Sequence, residues 1–196
     1  MKQENLDDLL FEIRACQYCA ADLPLGPRPV LSASKSSRIL IIGQAPGIRV
    51  HNSGIAWNDP SGQRLREWMG ISDEDFYDEN KVAIVPMGFC YPGTGDSGDL
   101  PPRPECAPLW HDRLFKQLKA VRLTLLLGQY SQQYILGNRK KRNLTETVAS
   151  WKSYRPATLP MPHPSPRNNR WLKKNPWFEA EVLPWLRRRV RKVLTS

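Results

Sequence analysis

Short apolar runs, each followed by polar or amphipathic chain, organise this sequence. Arg38-Ile39-Leu40-Ile41-Ile42 is nearly continuous, rich in β-branched residues and stopped by Gly43. Such a run reads as a strand covered on both faces. Val82-Ala83-Ile84-Val85 and Leu123-Thr124-Leu125-Leu126-Leu127, the latter stopped by Gly128, repeat the pattern. Between them lie stretches with helical spacing: the stripe Leu6, Leu9, Leu10 and Ile13, residues 63–69, the acidic stretch 73–78, and residues 114–120 and 130–136. Strands alternating with helices predict an α/β fold around a parallel sheet, with ligands at the carboxyl ends of the strands, where Gly43 and Gly128 begin their loops. The polar, Pro- and Gly-rich segment 91–104 predicts a surface excursion that returns at Cys106. Residues 154–166 hold five prolines, so they predict an extended segment that delivers His163. Residues 171–191 predict a basic helix pair interrupted at Pro176 and Pro184, with Trp177, Phe178, Leu183, Trp185 and Leu186 available for packing.

Length and composition narrow the class. A chain of 196 residues, 40% apolar, predicts a single domain over 1–196 with an ordinary core. No apolar run approaches the ~20 residues of a membrane span. Asp7, Asp8 and Glu12 inside the first apolar stretch are unlike a signal peptide. A monomer in the cytoplasm, in contact with the nucleoid, is expected. The charge is +10 and uneven: residues 138–196 hold 15 of the 29 basic residues and three of the 19 acids. A polarised basic surface is the footprint of a polyanion partner, because each Lys or Arg that meets a phosphate releases condensed counterions.

Four cysteines in a chain expected to be cytosolic argue for metal binding or redox chemistry rather than disulfides. Cys16 and Cys19 form a CxxC after the first helical stripe, and Cys90 and Cys106 bracket the Pro/Gly-rich loop. Two thiolates from one turn can bind one centre and the second pair can share it, a set that suits zinc or a 4Fe-4S cluster.

Two loops carry candidate chemistry. Gly43-Gln44-Ala45-Pro46-Gly47 follows a buried strand and is built of residues whose backbone amides can approach a ligand closely. His163-Pro164-Ser165-Pro166-Arg167-Asn168 places a histidine between prolines at a strand end, a position that holds its imidazole still.

Taken together, the CxxC, GQAPG at 43–47, the segment Gly54-Ile55-Ala56-Trp57-Asn58-Asp59-Pro60-Ser61-Gly62, the Cys90 to Cys106 loop and His163-Pro164-Ser165 resemble, in order and spacing over about residues 13–190, the uracil-DNA glycosylase superfamily, and most closely its iron-sulfur family-four branch. The resemblance implies a three-layer α/β sandwich with a central mostly parallel sheet. It implies base excision repair: a damaged base, uracil in the family, is flipped out of DNA and its N-glycosidic bond hydrolysed. It implies a structural 4Fe-4S cluster on Cys16, Cys19, Cys90 and Cys106, with zinc as the alternative. His163 would donate to the departing base. Gly43, Ala45, Pro46, Gly47, Trp57, Asn58 and Ser165 would hold the substrate, with Trp57 stacking and Asn58 reading the base edge. Arg167, Asn168, Asn169 and Arg170 would meet DNA where the family places its minor-groove wedge. The sequence departs from the pattern where the family has the glutamate of GEAPG, which is Gln44 here; at an acidic pair, here Val50 and His51; and at a base-reading asparagine, which falls on Pro86. Asp59 is then the aligned carboxylate expected to assist catalysis, with Gln44 as the other group able to orient water. The alternatives are a DNA-binding iron-sulfur protein that has lost catalysis and a glycosylase for another lesion, such as hypoxanthine or xanthine.

Overall fold

The computed structural model describes residues 4–96 and 98–195. The main sheet has four strands: β1 (Ile39–Ile42), β2 (Val82–Ile84), β5 (Leu123–Leu127) and β6 (Thr158–Met161), in the order β2-β1-β5-β6 and all parallel. Nearly every residue of these strands is buried, as expected for a sheet covered on both sides. Pro160 sits inside β6, and it is tolerated because β6 is an edge strand, where a missing ladder donor costs least.

Alternation along each strand divides the core in two. Ile39, Ile41, Leu125 and Leu159 face a cluster that includes Leu65, Trp68, Phe178, Leu186 and Val190. Leu40, Ile42, Ala83 and Leu126 face another that includes Leu9, Ile13, Trp110 and Leu114. On the first face lie α3 (Pro60–Met69), α4 (Asp73–Tyr77), α7 (Leu144–Ala149), α8 (Asn169–Lys174) and α9 (Leu183–Thr195). On the second lie α1 (Leu6–Arg14), α5 (Cys106–Gln117) and α6 (Gln129–Leu136). The result is the expected three-layer α/β sandwich around a parallel sheet. The short helix α2 (Ile48–Ser53) follows the loop after β1. No helix among the described residues is long and apolar enough to cross a membrane.

Three segments differ from the pattern-based expectation. The helix expected at 114–120 begins eight residues earlier, at Cys106, because Pro108 falls in its first turn, where a missing N–H breaks no bond. The excursion 91–104 contains a two-stranded hairpin, β3 (Thr94–Gly95) and β4 (Gly98–Asp99). Pro184 does not interrupt the last helix, because a single π-helical turn, Phe178–Val182, leads directly into α9 and loosens the ladder there. Helix α9 packs onto the core: Leu186, Val190 and Val193 are buried, Arg187 donates to the Glu67 carbonyl, and Arg189 donates to the carbonyls of Pro156 and Arg122.

Candidate active site

At the carboxyl ends of β1 and β6 a cavity of about 420 Å³ opens between the loop 43–47 and the loop 163–168. Gly43, Gln44, Ala45, Pro46 and Gly47 form one wall, and His163, Ser165, Arg167 and Asn168 another. Trp57, Asp59, Pro86 and Asp99 also line it. Its size is that of a small-molecule pocket.

His163 follows β6 after one proline. The Ser165 backbone N–H donates to its Nδ1 at 3.2 Å, and the Asn168 side-chain amide donates to its carbonyl at 2.7 Å. An Nδ1 that accepts a hydrogen bond leaves the ring proton of the neutral form on Nε2. Burial pushes the His163 pKa down to about 4, against the opposing pull of the Asp59 carboxylate. Its imidazole is therefore neutral at pH 7 and carries one N–H donor. Arg64 braces the same loop by donating to the Ser165 carbonyl at 3.3 Å.

Trp57 packs against the His163 ring, centroids 5.5 Å apart and planes 30° from parallel. It reaches that place through a left-handed backbone, φ 58°, a conformation that costs a non-glycine residue ~1–3 kcal/mol and clusters at functional sites. Two glycines make room for it. A Cβ at Gly62 would lie 1.7 Å from the Trp57 carbonyl oxygen, and one at Gly43 would lie 2.9 Å from the indole. The same carbonyl accepts from Arg66 at 3.3 Å.

Asp59 is the N-cap of α3, with Oδ1 accepting the Gly62 N–H at 2.8 Å and Pro60 in the first turn. Gln44 donates from Nε2 to the Leu100 carbonyl at 3.1 Å, which ties the loop after β1 to the hairpin segment. Asn58 does not fit its expected place: it is exposed and does not line the cavity, because the left-handed turn at Trp57 sends the indole inward and the next residue outward. Arg167 and Asn168 line the cavity, and Asn169 and Arg170, expected with them to meet DNA rather than the base, open α8. Pro86 offers the cavity no side-chain hydrogen bond. Its carbonyl accepts from Nε2 of the fully buried His111 at 2.9 Å. Burial holds the His111 pKa down at about 4, and its Nδ1 has no partner among the described residues.

Asp99 was not among the residues anticipated from the sequence, since it stands in a two-residue strand of a loop with no periodic signal. Only its proximity to the loop 43–47 reveals it.

Cys16, Cys19, Cys90 and Cys106 line one small cavity, of about 30 Å³, together with Leu23, Pro27, Pro29, Phe89, Arg103 and Trp110. They come from the end of α1, the segment after β2 and the first residue of α5. As the side chains stand, no group of three or more His, Cys, Asp or Glu among the described residues is placed to hold a metal ion. Burial pushes the Cys90 thiol up to about 11 and the Cys106 thiol up to about 12. Burial raises the Cys19 thiol as well, with the neighbouring Arg103 guanidinium pulling the other way, and the Phe89 N–H donates to Cys106 Sγ at 3.4 Å.

The family model described as the uracil DNA glycosylase superfamily matches residues 31–187. The type-4 uracil-DNA glycosylase of Archaeoglobus fulgidus is 28% identical over 137 residues, 67% of this chain and 64% of that protein. This chain thus matches just under two thirds of that relative's length. A solution NMR structure from Methanosarcina acetivorans, whose assignment as a uracil DNA glycosylase is provisional, is similar at a TM-score of 0.47 and 16% identity, covering 82% of this chain and 98% of that one.

Proposed function

Because the chain belongs to the uracil DNA glycosylase superfamily, we propose that it is a DNA glycosylase that flips a deaminated base, uracil first among them, into the cavity between loops 43–47 and 163–168 and hydrolyses its N-glycosidic bond. The observation that carries this reading is the state of His163: neutral, locked by the Ser165 N–H on Nδ1, and left with an Nε2–H donor beside a cavity with room for a base. A pyrimidine leaving through N1 places negative charge on its carbonyl oxygen, and a fixed donor at that oxygen lowers the barrier most where water is excluded. Trp57 supports the flipped base with an aromatic face. Ser165, Asn168 and the backbone of 43–47 supply polar contacts at the cavity wall. Asp59 caps α3 and acts on His163 through its charge. The basic residues of α8, with Arg167 and Asn168 beside the cavity, lie where a duplex would be held as its base enters.

The four cysteines fit an iron-sulfur cluster by the chemistry of the donor set: four thiols share one cavity whose shell is mostly apolar. Arg103 would offset part of the negative charge of thiolate-bound iron. Such a cluster is an electron-transfer-capable centre when bound, and here its role would be to tie α1, the segment after β2 and α5 together. Zinc is the other metal that suits four thiolates. Activity on DNA would place the protein in the cytoplasm at the nucleoid, with residues 1–196 acting as one domain.

Single-turnover incubation with duplexes carrying uracil, hypoxanthine or xanthine, followed by alkaline cleavage at abasic sites, tests the reading. Cleavage at one of the lesions is expected. Binding to all three with cleavage of none would favour the alternative of a DNA-binding protein without catalysis.

A further inference from the structure

Glycosidic hydrolysis needs more than a donor at the base. The sugar gains positive charge as the C1′–N bond stretches, and the incoming water must lose a proton, so a carboxylate at the anomeric carbon serves both needs at once. When a base fills a pocket its sugar remains at the mouth, so that carboxylate belongs on the rim. Two carboxylates line the cavity. Asp59 is half-buried, with one oxygen committed to the cap of α3. Asp99 is solvent-exposed at the rim, where a bound duplex would cover it.

Asp99 is held there from three sides. Its Oδ2 rests against the loop 43–47, such that a Cβ at Gly47 would lie 3.1 Å away. Its Oδ1 accepts from Thr94 Oγ1 at 3.5 Å, and Thr94 Oγ1 is hydrogen-bonded to the Tyr91 hydroxyl. The next residue, Leu100, receives the Gln44 amide at its carbonyl. The far side of the hairpin leans on Arg167: Gly98 has φ +123°, and a Cβ there would fall within 1.5 Å of Arg167 Nη1. Hairpin β3–β4 is thus a strap that joins the two walls of the cavity.

Building on the glycosylase reading, we propose that Asp99 is the catalytic carboxylate of this protein and that Gln44 is a positioning residue that holds it through Leu100. The water oxygen forms its bond to C1′ while a water proton passes to the Asp99 carboxylate. The C1′–N bond breaks and its electron pair leaves with the base, whose oxygen is stabilised by His163 Nε2–H. The proton on Asp99 then returns to solvent. Gln44 itself can neither take that proton nor balance the sugar's charge, and its amide serves the strap instead.

The test pairs excision with a binding probe that requires no turnover. Duplexes carry either a cationic pyrrolidine in place of the sugar or a neutral tetrahydrofuran abasic site. Wild-type protein should prefer the cationic duplex at least tenfold. Asp99→Asn should lose that preference, keep its affinity for the neutral duplex within about twofold, keep its melting temperature, and slow excision ~100-fold or more, the scale on which loss of one preorganised electrostatic group is felt. Asp59→Asn, which retains the cap, should keep the cationic preference. Gln44→Leu should weaken excision and the cationic preference by the same factor at unchanged melting temperature, which a purely structural role would not produce. Asp99→Asn excising at the wild-type rate overturns the proposal, as does an equal cationic preference in wild type and Asp99→Asn. If wild type excises no lesion yet shows an Asp99-dependent cationic preference, the glycosylase reading fails and the placement of Asp99 at the sugar survives.

Discussion

If His163 acts as a neutral donor, its contribution to excision is independent of pH over the range in which an ordinary histidine would titrate. With its pKa held at about 4 by burial, roughly one imidazole in a thousand is protonated at pH 7, against roughly a quarter for the reference value of ~6.5. A mechanism that needed imidazolium would draw on that small fraction and speed up about tenfold for each pH unit lowered, about 100-fold between pH 7 and pH 5. A mechanism that uses Nε2–H of the neutral ring gains nothing on this account over the same interval. Single-turnover excision rates for wild type and His163→Ala from pH 8 to pH 5 separate the two. His163→Ala should lose a factor of ~100 to 1000 at every pH, the usual cost of removing one preorganised donor, while binding a tetrahydrofuran duplex nearly as well as wild type. A wild-type rate that climbs tenfold per unit towards acid, with the climb abolished in His163→Ala, would refute the neutral-donor assignment. So would an undiminished rate in His163→Ala.

His111 supplies an acid-stability signature. A depressed histidine pKa means that the unfolded chain binds the extra proton first, so stability is fully present above ~6.5 and is lost as pH falls to about 4, by about 3 kcal/mol for this residue. Denaturant melts should show His111→Gln, which keeps a donor for the Pro86 carbonyl, with a visibly shallower loss over that window; an unchanged slope would remove His111 as the cause. Gly62→Ala forces a Cβ to within 1.7 Å of the Trp57 carbonyl, so backbone must shift; a cost of ~1–3 kcal/mol, or a fall of ~2–12 °C in Tm, is expected together with altered tryptophan fluorescence. A melt within one degree of wild type would show that the turn at Trp57 is soft. Purified without oxygen, the protein should contain about four irons, and Cys→Ser at position 16, 19, 90 or 106 should lower both iron content and Tm; one zinc and no iron would replace the cluster by a zinc site.

The layered core was legible because burial on both faces leaves an unmistakable mark. Ile39–Ile42 and Leu123–Leu127 are apolar almost throughout, and the stripe of Leu6, Leu9, Leu10 and Ile13 gives α1 directly. Elements whose boundaries depend on local exceptions were not. Pro108 is compatible with helix only because it lies in the first turn of α5, and Pro184 only because a π turn precedes it. Asn58 falls outside the cavity for a related reason: the positive φ at Trp57 turns the indole inward and the next side chain outward, and no pattern of polar and apolar residues encodes that turn. Its trace in the sequence is Gly62, whose missing Cβ is the condition for the turn.

The candidate site shows the same division. Loops 43–47 and 163–168 could be found because each follows a strand of the parallel sheet, so topology alone brings them to one edge. The Gln44 position looked like the loss of a functional acid when compared with a linear motif. In three dimensions the Gln44 amide anchors the segment that carries Asp99, 55 residues along the chain, to the rim where a sugar would sit. A glutamate at 44 would meet the Leu100 carbonyl with a carboxylate and lose that anchor, whereas a neutral amide donates to it. The amide at 44 and the acid at 99 are then two halves of one arrangement, so Gln44→Glu should restore a carboxylate near the cavity yet loosen the strap. Combined with Asp99→Asn, that substitution should recover excision only where the carboxylate, and not the loop that holds it, is limiting.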